Sequence, residues 1–385
     1  MEPGLTLIEI IPEGSNTEFG ALLVIVDETG EIVWYQTGSR FTDARQTPEG
    51  NLLFIVGNKI FEMDMLGNTI REWRAVRPTN KHKIKGTIAT ATFHHEVFPM
   101  TNGHYLVMSA EPRSFDHYPT SETDKSAPTE TAWVVGDVIV EFAADGSIVK
   151  QWSLLDMLDP YRIGFGALGS YWDHTFGGKK TRDWSHGNAV IHDPVDDTII
   201  VSLRHQDATI KFNRQTGQLI WILGPHENWD LKTFGKYLLT PVSDRKIDLA
   251  YFFPYHQHAP EIMPNGNIMI YDNGSYGANP FNAKPRRTKP FSRAVEYKIN
   301  EETMEVEIAW EYGSDVNIIC YSGALGAADY LPQAGNVLIT HGNLVATDKK
   351  QSAVILEVTH TMPDKEVFNM TGVDDCEDPD NGWRV

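Results

Sequence analysis

Apolar and polar residues alternate along this chain in short runs, and one phrase recurs six times: a turn built on Gly or on Asp/Asn, an apolar alternation, then an aromatic. The clearest copies are residues 27–34, 66–73, 144–152 and 215–221, which end on Trp34, Trp73, Trp152 and Trp221. Looser copies are residues 302–310, ending on Trp310, and 362–368, ending on Phe368. A period of two is the signature of a strand with one buried face. Hairpin-plus-aromatic units spaced by roughly 40 to 90 residues predict a β-propeller. That architecture brings the polar residues at the ends of its inner strands to a central funnel.

A second phrase precedes each repeat, a tight turn followed by an alternating strand. It stands at residues 48–54, 101–107, 194–200, 264–270 and 332–338. Asn-Gly between apolar alternations, as in Asn102-Gly103 and Asn265-Gly266, is a strong hairpin signal. Each blade is therefore expected to run inner strand, hairpin, second strand, third strand, Gly turn, outer strand with Trp. The first unit, residues 20–36, lacks a full inner strand and is expected to close the ring against the C-terminal unit near residues 354–370. The prediction is an all-β, six-bladed propeller over residues 20–371, with long inserted loops and no sizeable N-terminal domain. Residues 1–19 are assigned to an extension and 372–385 to a frayed or draped tail. The insertions fall at roughly 111–131, 154–183, 225–251 and 275–289, and loops of that length in a compact fold are usually lids or binding loops. Residues 153–158 are the one plausible helix.

Composition narrows the partners. The net charge of −19 argues against nucleic acid or an anionic membrane. It also makes any anionic ligand depend on local cations. The sequence holds no apolar run of about 18 residues that could span a bilayer. Met1-Glu2-Pro3-Gly4 lacks the basic and apolar regions of a signal peptide, so a cytoplasmic location is expected, with a periplasmic or secreted one as the alternative if a signal has been removed. The two cysteines, Cys320 and Cys376, form no CxxC pattern and exclude a zinc ribbon or thioredoxin-type site. They are read as ordinary thiols, or as one bridge between the last blade and the tail.

Counting back from the hairpins exposes the chemistry. His95 lies eight residues before Gly103 and His258 eight before Gly266, which predicts equivalent places on two inner strands. His94 should then face the opposite way from His95. His186 precedes its own hairpin at a slightly longer offset, so three consecutive blades offer a histidine at one rim. Arg204 ends the strand at residues 198–203, just across the hairpin from His186; beside a histidine cluster it suits an anion. Asn188 shares a strand face with His186 and is placed to donate to the same ligand. His256 and His205 are read as supporting or structural. Trp172, Trp184, Phe253, Tyr255 and Tyr271 supply aromatic surface nearby; most propeller aromatics fill the core, but Trp184 and the Tyr171-Trp172 insertion could line a slot for an aromatic ligand. Gly164-Phe165-Gly166-Ala167-Leu168-Gly169 matches GxGxxG, yet no strand leads into it and no helical pattern follows, so it is not a dinucleotide site. No GxxxxGK[ST] phosphate loop occurs, and no cofactor is implied.

The block Asp183-Trp184-Ser185-His186-Gly187-Asn188, with residues 202–212 and 217–224, resembles the bacterial arylsulfate sulfotransferases. Residues 155–162 and His256-Gln257-His258 fit the same family, and the resemblance runs from about Gly20 to Met370. It implies a six-bladed propeller that moves a sulfuryl group from an aryl sulfate donor to a phenol acceptor without the nucleotide sulfate donor, PAPS. Carried over, His258 is the nucleophile that becomes transiently sulfated. His186, Asn188 and Arg204 bind the sulfuryl group, and His95, or its neighbour His94, is the remaining active-site histidine. Exported members of that family carry an N-terminal β-sandwich and a closely spaced disulfide, neither of which is evident here; the oligomeric state, monomer or homodimer, stays open.

These residue types suit the reaction. Neutral imidazole, with an ordinary pKa of about 6.5, is a competent nucleophile at pH 7. Sulfuryl transfer, like phosphoryl transfer, concentrates charge on non-bridging oxygens, which Arg204, a protonated His186 and the Asn188 amide can offset. A phenolate leaving group, pKa about 10, needs a proton from His95 or His186, which then serves as base for the incoming phenol. Two other readings keep the propeller: the histidines as zinc ligands of a hydrolase, against which Arg204 argues, or a non-enzymatic ligand-binding propeller with structural histidines.

Overall fold

A computed structural model describes residues 2–12, 20–77, 86–243, 248–281, 290–314, 320–345, 351–373 and 383–384. Six sheets follow one another along the chain, and most are meanders in which the first strand is innermost. Blade two runs Thr42–Gln46, Leu52–Val56, Lys59–Met63, Thr69–Ala75. Blade three runs His94–Pro99, His104–Tyr118, Glu130–Ala143, Ile148–Ser153. Blade four runs Gly187–Asp193, Thr198–Leu203, Ala208–Asn213, Leu219–Leu223. Blade five runs His258–Ile262, Ile268–Asp272, Arg293–Asn300, Glu305–Tyr312. Blade six runs Ala327–Leu331, Asn336–Val345, Gln351–Thr359, Glu366–Val373.

The ring closes differently from the expectation. Thr6–Pro12, assigned above to an extension, pairs with Ala21–Val26 and forms the second strand of blade one. The innermost place beside it is taken by Trp383–Arg384 from the tail. Blade one is thus built from both ends of the chain. The apolar alternation in Leu7-Ile8-Glu9-Ile10 matches that pairing, and Ile8 packs with Val24, Val26 and Ile355 of blade six.

Each repeated tryptophan reaches the next blade, which is why the repeat carries an aromatic. The Nε1–H of Trp34 donates to Met65 O at 3.2 Å, and that of Trp73 to Ala144 O at 3.0 Å. Trp221 donates to Glu301 Oε1 at 2.9 Å. The Trp152 ring lies 5.7 Å from Phe212, and the Trp310 ring 4.9 Å from His360. The turn glycine of the following blade makes room: a Cβ on Gly217 would stand 3.3 Å from the Trp152 ring, and its φ of 73° is one that side-chain-bearing residues rarely adopt. Buried carboxylates on the third strands anchor the hairpins. Glu62 accepts from Asn51, Glu296 from Asn265 and Asn267, and Glu357 from Asn336. The hairpin Asn therefore both makes the turn and satisfies a charge that could not be buried alone.

Two insertions are more ordered than loops. Much of residues 111–131 extends the second hairpin of blade three, pairing as far as Tyr118↔Glu130. Helix Leu154–Met157 falls where expected, and two further four-residue helices, Leu231–Phe234 and Leu249–Phe252, lie within or at the edge of the third insertion. No described helix is long and apolar enough to cross a membrane.

Candidate active site

The inner strands of blades three, four and five begin at or just after His94, His186 and His258, and these starts converge. The His95 and His186 rings lie 5.0 Å apart, and Tyr171 sits 5.0 Å from His186 across its edge. Blade four is tied to blade five by Asn188 Nδ2, which donates to Gln257 O at 2.8 Å. His95, His186 and His256 hold left-handed backbone, with φ of 55°, 43° and 53°. Each such residue costs about 1–3 kcal/mol and persists where its surroundings hold it, which active sites commonly do.

Equal counting from the hairpins turns out to be broken by a bulge. His94 pairs with Met108 and Val97 with Val107, so two residues, His95 and Glu96, stand against no partner. His258 pairs with Tyr271, the place that corresponds to Met108. By pairing, His94 is the counterpart of His258, while His95 is the bulged residue that swings towards His186. His94 does not face away: its Nδ1 lies 2.9 Å from His95 Nδ1. The left-handed turn at His95 cancels the alternation of a regular strand.

Hydrogen bonds determine several tautomers. Asn273 Nδ2 donates both hydrogens, to Ser322 O and to Leu325 O, each at 2.8 Å. Its Oδ1 must therefore accept, and it lies 2.6 Å from His258 Nδ1. His258 is the Nδ1–H form, and its Nε2 lone pair has no hydrogen-bond partner among the described residues. His186 Nδ1 donates to Asp183 Oδ2 at 2.5 Å, while Trp172 Nε1–H holds the other carboxylate oxygen at 2.7 Å. His205 Nδ1–H donates to Asp183 O at 2.7 Å, so its Nε2 accepts from Arg204 Nη1 at 2.8 Å. Arg204 Nη2 donates to Gly323 O at 3.3 Å. Among the described residues two of its five N–H donors are committed and three remain.

Burial and Arg204 keep the imidazoles neutral. His258 and His186 are each lowered to about 3, first by burial and then by the guanidinium. His205 is lowered to about 3 by burial and by His186. His95 is pushed well down by burial and His186, and His256 by burial and Arg204. The protonated His186 expected from sequence is therefore an uncharged imidazole at pH 7 in the free protein. Burial raises the Asp183 carboxyl.

The other sequence-derived residues divide by exposure. Tyr171 is 54% exposed and faces the cluster. Trp172, at 3%, packs its ring 4.9 Å from His94, and it braces Asp183 rather than lining an open slot. Trp184 is fully buried and donates to Arg162 O at 2.8 Å; it belongs to the core, not to a ligand surface. His256 is buried, with Nε2–H on Phe165 O at 3.0 Å. Asn188 already spends a donor on Gln257, and its buried Oδ1 has no partner among the described residues.

Asp183 and Asn273 escaped the sequence reading. Asn273 follows the second strand of blade five as Arg204 follows that of blade four, so the count that found Arg204 would have found it. Tyr276, 54% exposed and stacked 4.6 Å from Phe165, lay inside an insertion with no pattern. The GxGxxG stretch is explained by packing. A Cβ on Gly164 would fall 1.7 Å from His205 O, and one on Gly166 2.6 Å from His205 Nε2. These glycines let the insertion close over the Arg204–Gln206 turn. Among the described residues, the group able to gather ligand atoms within 4.8 Å is Asp183, His186 and His205, not the three inward histidines. Arg204 already occupies His205 Nε2 there. Cys376 lies outside the described residues; Cys320 is half-buried.

The fold and site define a six-bladed propeller with a histidine–arginine cluster where the inner strands of blades three, four and five begin. Residues 1–383 match the family model described as Arylsulfotransferase (ASST), and the chain belongs to that family. It is 28% identical over 378 residues to "Arylsulfate sulfotransferase AssT" of Escherichia coli O6:H1, covering 86% of this chain and 59% of the relative. It is 25% identical over 393 residues to the protein of the same name from Lelliottia amnigena, covering 89% and 61%. The chain thus spans about three-fifths of the length of these relatives. Among solved structures it resembles a Bacteroides caccae protein of unknown function, at a TM-score of 0.50 and 12% identity over 96% of this chain and 94% of that one. That likeness concerns the fold.

Proposed function

We propose that this chain is an aryl sulfotransferase that moves a sulfuryl group from a phenolic sulfate ester to an acceptor phenol, through a sulfated His258 and without a nucleotide donor. The observation that carries this reading is the Nε2 of His258, left open by the Asn273 contact, close to an Arg204 with donors uncommitted among the described residues. In the first half-reaction Nε2 attacks sulfur, an N–S bond forms and the S–O bond to the aryl group breaks. The electron pair leaves on the phenolate oxygen, which takes up a proton. Arg204 offsets charge on the sulfuryl oxygens as it develops. An ester anion among neutral imidazoles favours their protonated form, so donor binding loads the proton that His186, held on Asp183, or the adjacent His95 passes to the phenolate. In the second half-reaction the same imidazole takes the proton of the acceptor phenol. The phenol oxygen attacks sulfur and the N–S pair returns to His258, giving ping-pong turnover. Tyr171 and Tyr276, both half-exposed beside the cluster, offer faces for the phenol rings.

The test is incubation with 4-nitrophenyl sulfate with and without an acceptor phenol. Nitrophenol release that depends on the acceptor, with the sulfated acceptor recovered, is expected. Acceptor-independent release would indicate a hydrolase, and no release from any aryl sulfate would indicate a binding protein.

A further inference from the structure

Asn273 is fully buried at the end of the second strand of blade five. Three contacts leave its amide no freedom: two carbonyl acceptors, Ser322 O and Leu325 O, take both Nδ2 hydrogens, and Oδ1 meets His258 Nδ1. Carbonyl oxygens cannot donate, so the amide cannot flip without setting its one acceptor oxygen against two carbonyl oxygens. Ser322 is itself held, its N–H on Ser292 Oγ at 2.9 Å and its Oγ on Ala324 O at 2.7 Å. The support therefore reaches from blade five into the entry of blade six. We infer that Asn273 is the positioning residue that selects the Nδ1–H tautomer of His258 and aims its Nε2 lone pair at the substrate sulfur.

The inference rests on His258 being the nucleophile, as proposed above, but the tautomer is a property of the resting protein and is measured without turnover. A neutral amide suits this place better than a carboxylate. It fixes the ring and leaves the imidazole uncharged, whereas a carboxylate against Nδ1 would favour the imidazolium, which has no lone pair to attack with. The groups facing His258 are consistent with that choice: Arg204 and His186 oppose its protonation, while Asn273 Oδ1 and the His256 backbone favour it.

The experiment combines nitrogen NMR with kinetics on the full chain. Histidine labelled with 15N, with the His258 signals assigned by their loss in His258→Gln, is expected to show a pyrrole-type Nδ1 and a pyridine-type Nε2. Asn273→Ala should shift His258 towards the other tautomer. It should slow the nitrophenol burst from 4-nitrophenyl sulfate by about 10- to 100-fold with little change in KM, because aim is lost but binding is not. Asn273→Asp should move the acid limb of kcat/KM to higher pH, an effect that mere loosening of the fold would not produce. The wild-type spectrum needs no substitution, so the idea stays testable even if both variants fold poorly. An Nε2–H form of His258 in the active wild type would overturn this inference and the attack by Nε2, while its turnover of the aryl sulfate would leave the sulfotransferase activity standing. The expected tautomer in a protein that turns over no aryl sulfate would leave Asn273's hold on the ring intact and overturn both its role in sulfuryl transfer and that function.

Discussion

Arg204 is where charge and geometry can be separated by experiment. Two of its five donors are spent, on His205 Nε2 and Gly323 O, and among the described residues three are left for sulfuryl oxygens. Lysine has three donors on one nitrogen; meeting the same two acceptors leaves it one. Arg204→Lys therefore keeps the charge and loses two aimed donors. Removing a single preorganised donor costs about 2.7–4 kcal/mol, or roughly 10² to 10³ in rate, so a fall of at least about 10² is expected. Arg204→Met loses the charge too and should fall further. The pH profiles should differ as well. Arg204 is a cause of the low values of His95, His186, His205, His256 and His258. In the wild type His258 stays neutral down to about pH 3, so protonation of the nucleophile contributes little acid limb above pH 4. In Arg204→Met that limb should rise from about 3 but stay below the ordinary imidazole value, because burial, the larger cause, remains, whereas in Arg204→Lys it should stay. Stopped-flow release of nitrophenol from pH 3 to 8 reads both quantities. A lysine variant within threefold of wild type, or a methionine variant with an unmoved acid limb, would refute the model of Arg204 as the anion-holding cation.

Two further outcomes follow from the same geometry. His258→Asn should abolish sulfuryl transfer with the thermal midpoint little changed. Wild type mixed with donor alone should gain one sulfuryl group by intact mass spectrometry, and near-normal turnover by the variant would reject His258 as nucleophile. Trp73→Phe should destabilise the protein by about 2–4 kcal/mol, since it leaves Ala144 O unpaired and thins the contact with Tyr105 and Phe142 of the next blade. Denaturant unfolding checks this, and a change under about 0.5 kcal/mol would show that the repeated tryptophan is not an inter-blade clamp.

The amino-acid sequence alone was enough to predict the propeller, because its stability is carried by a repeat: an Asn-Gly hairpin, a period-two strand, and a Trp that crosses to the next blade. Such features are local, so they survive as spacing in the chain. The approach of His186 to Arg204 was legible for the same reason, since both flank one hairpin of blade four and Arg204 N–H donates to His186 O. The family was legible in the block from Asp183 to Gly224. The tertiary structure decided what depends on residues distant in sequence or on departures from regular geometry. One bulge in blade three gave His94 the pairing place expected for His95 and turned both rings into the cluster. The closing strand of blade one comes from residues 383–384, where two residues carry no strand period to read. Trp184 looked like a ligand face and proved to be core. The charge on His186 depended on burial and on a guanidinium, and the lone pair of His258 on an amide held by two carbonyls of another blade. Spacing can bring a histidine to the funnel, but its proton is settled by neighbours that only the folded chain supplies.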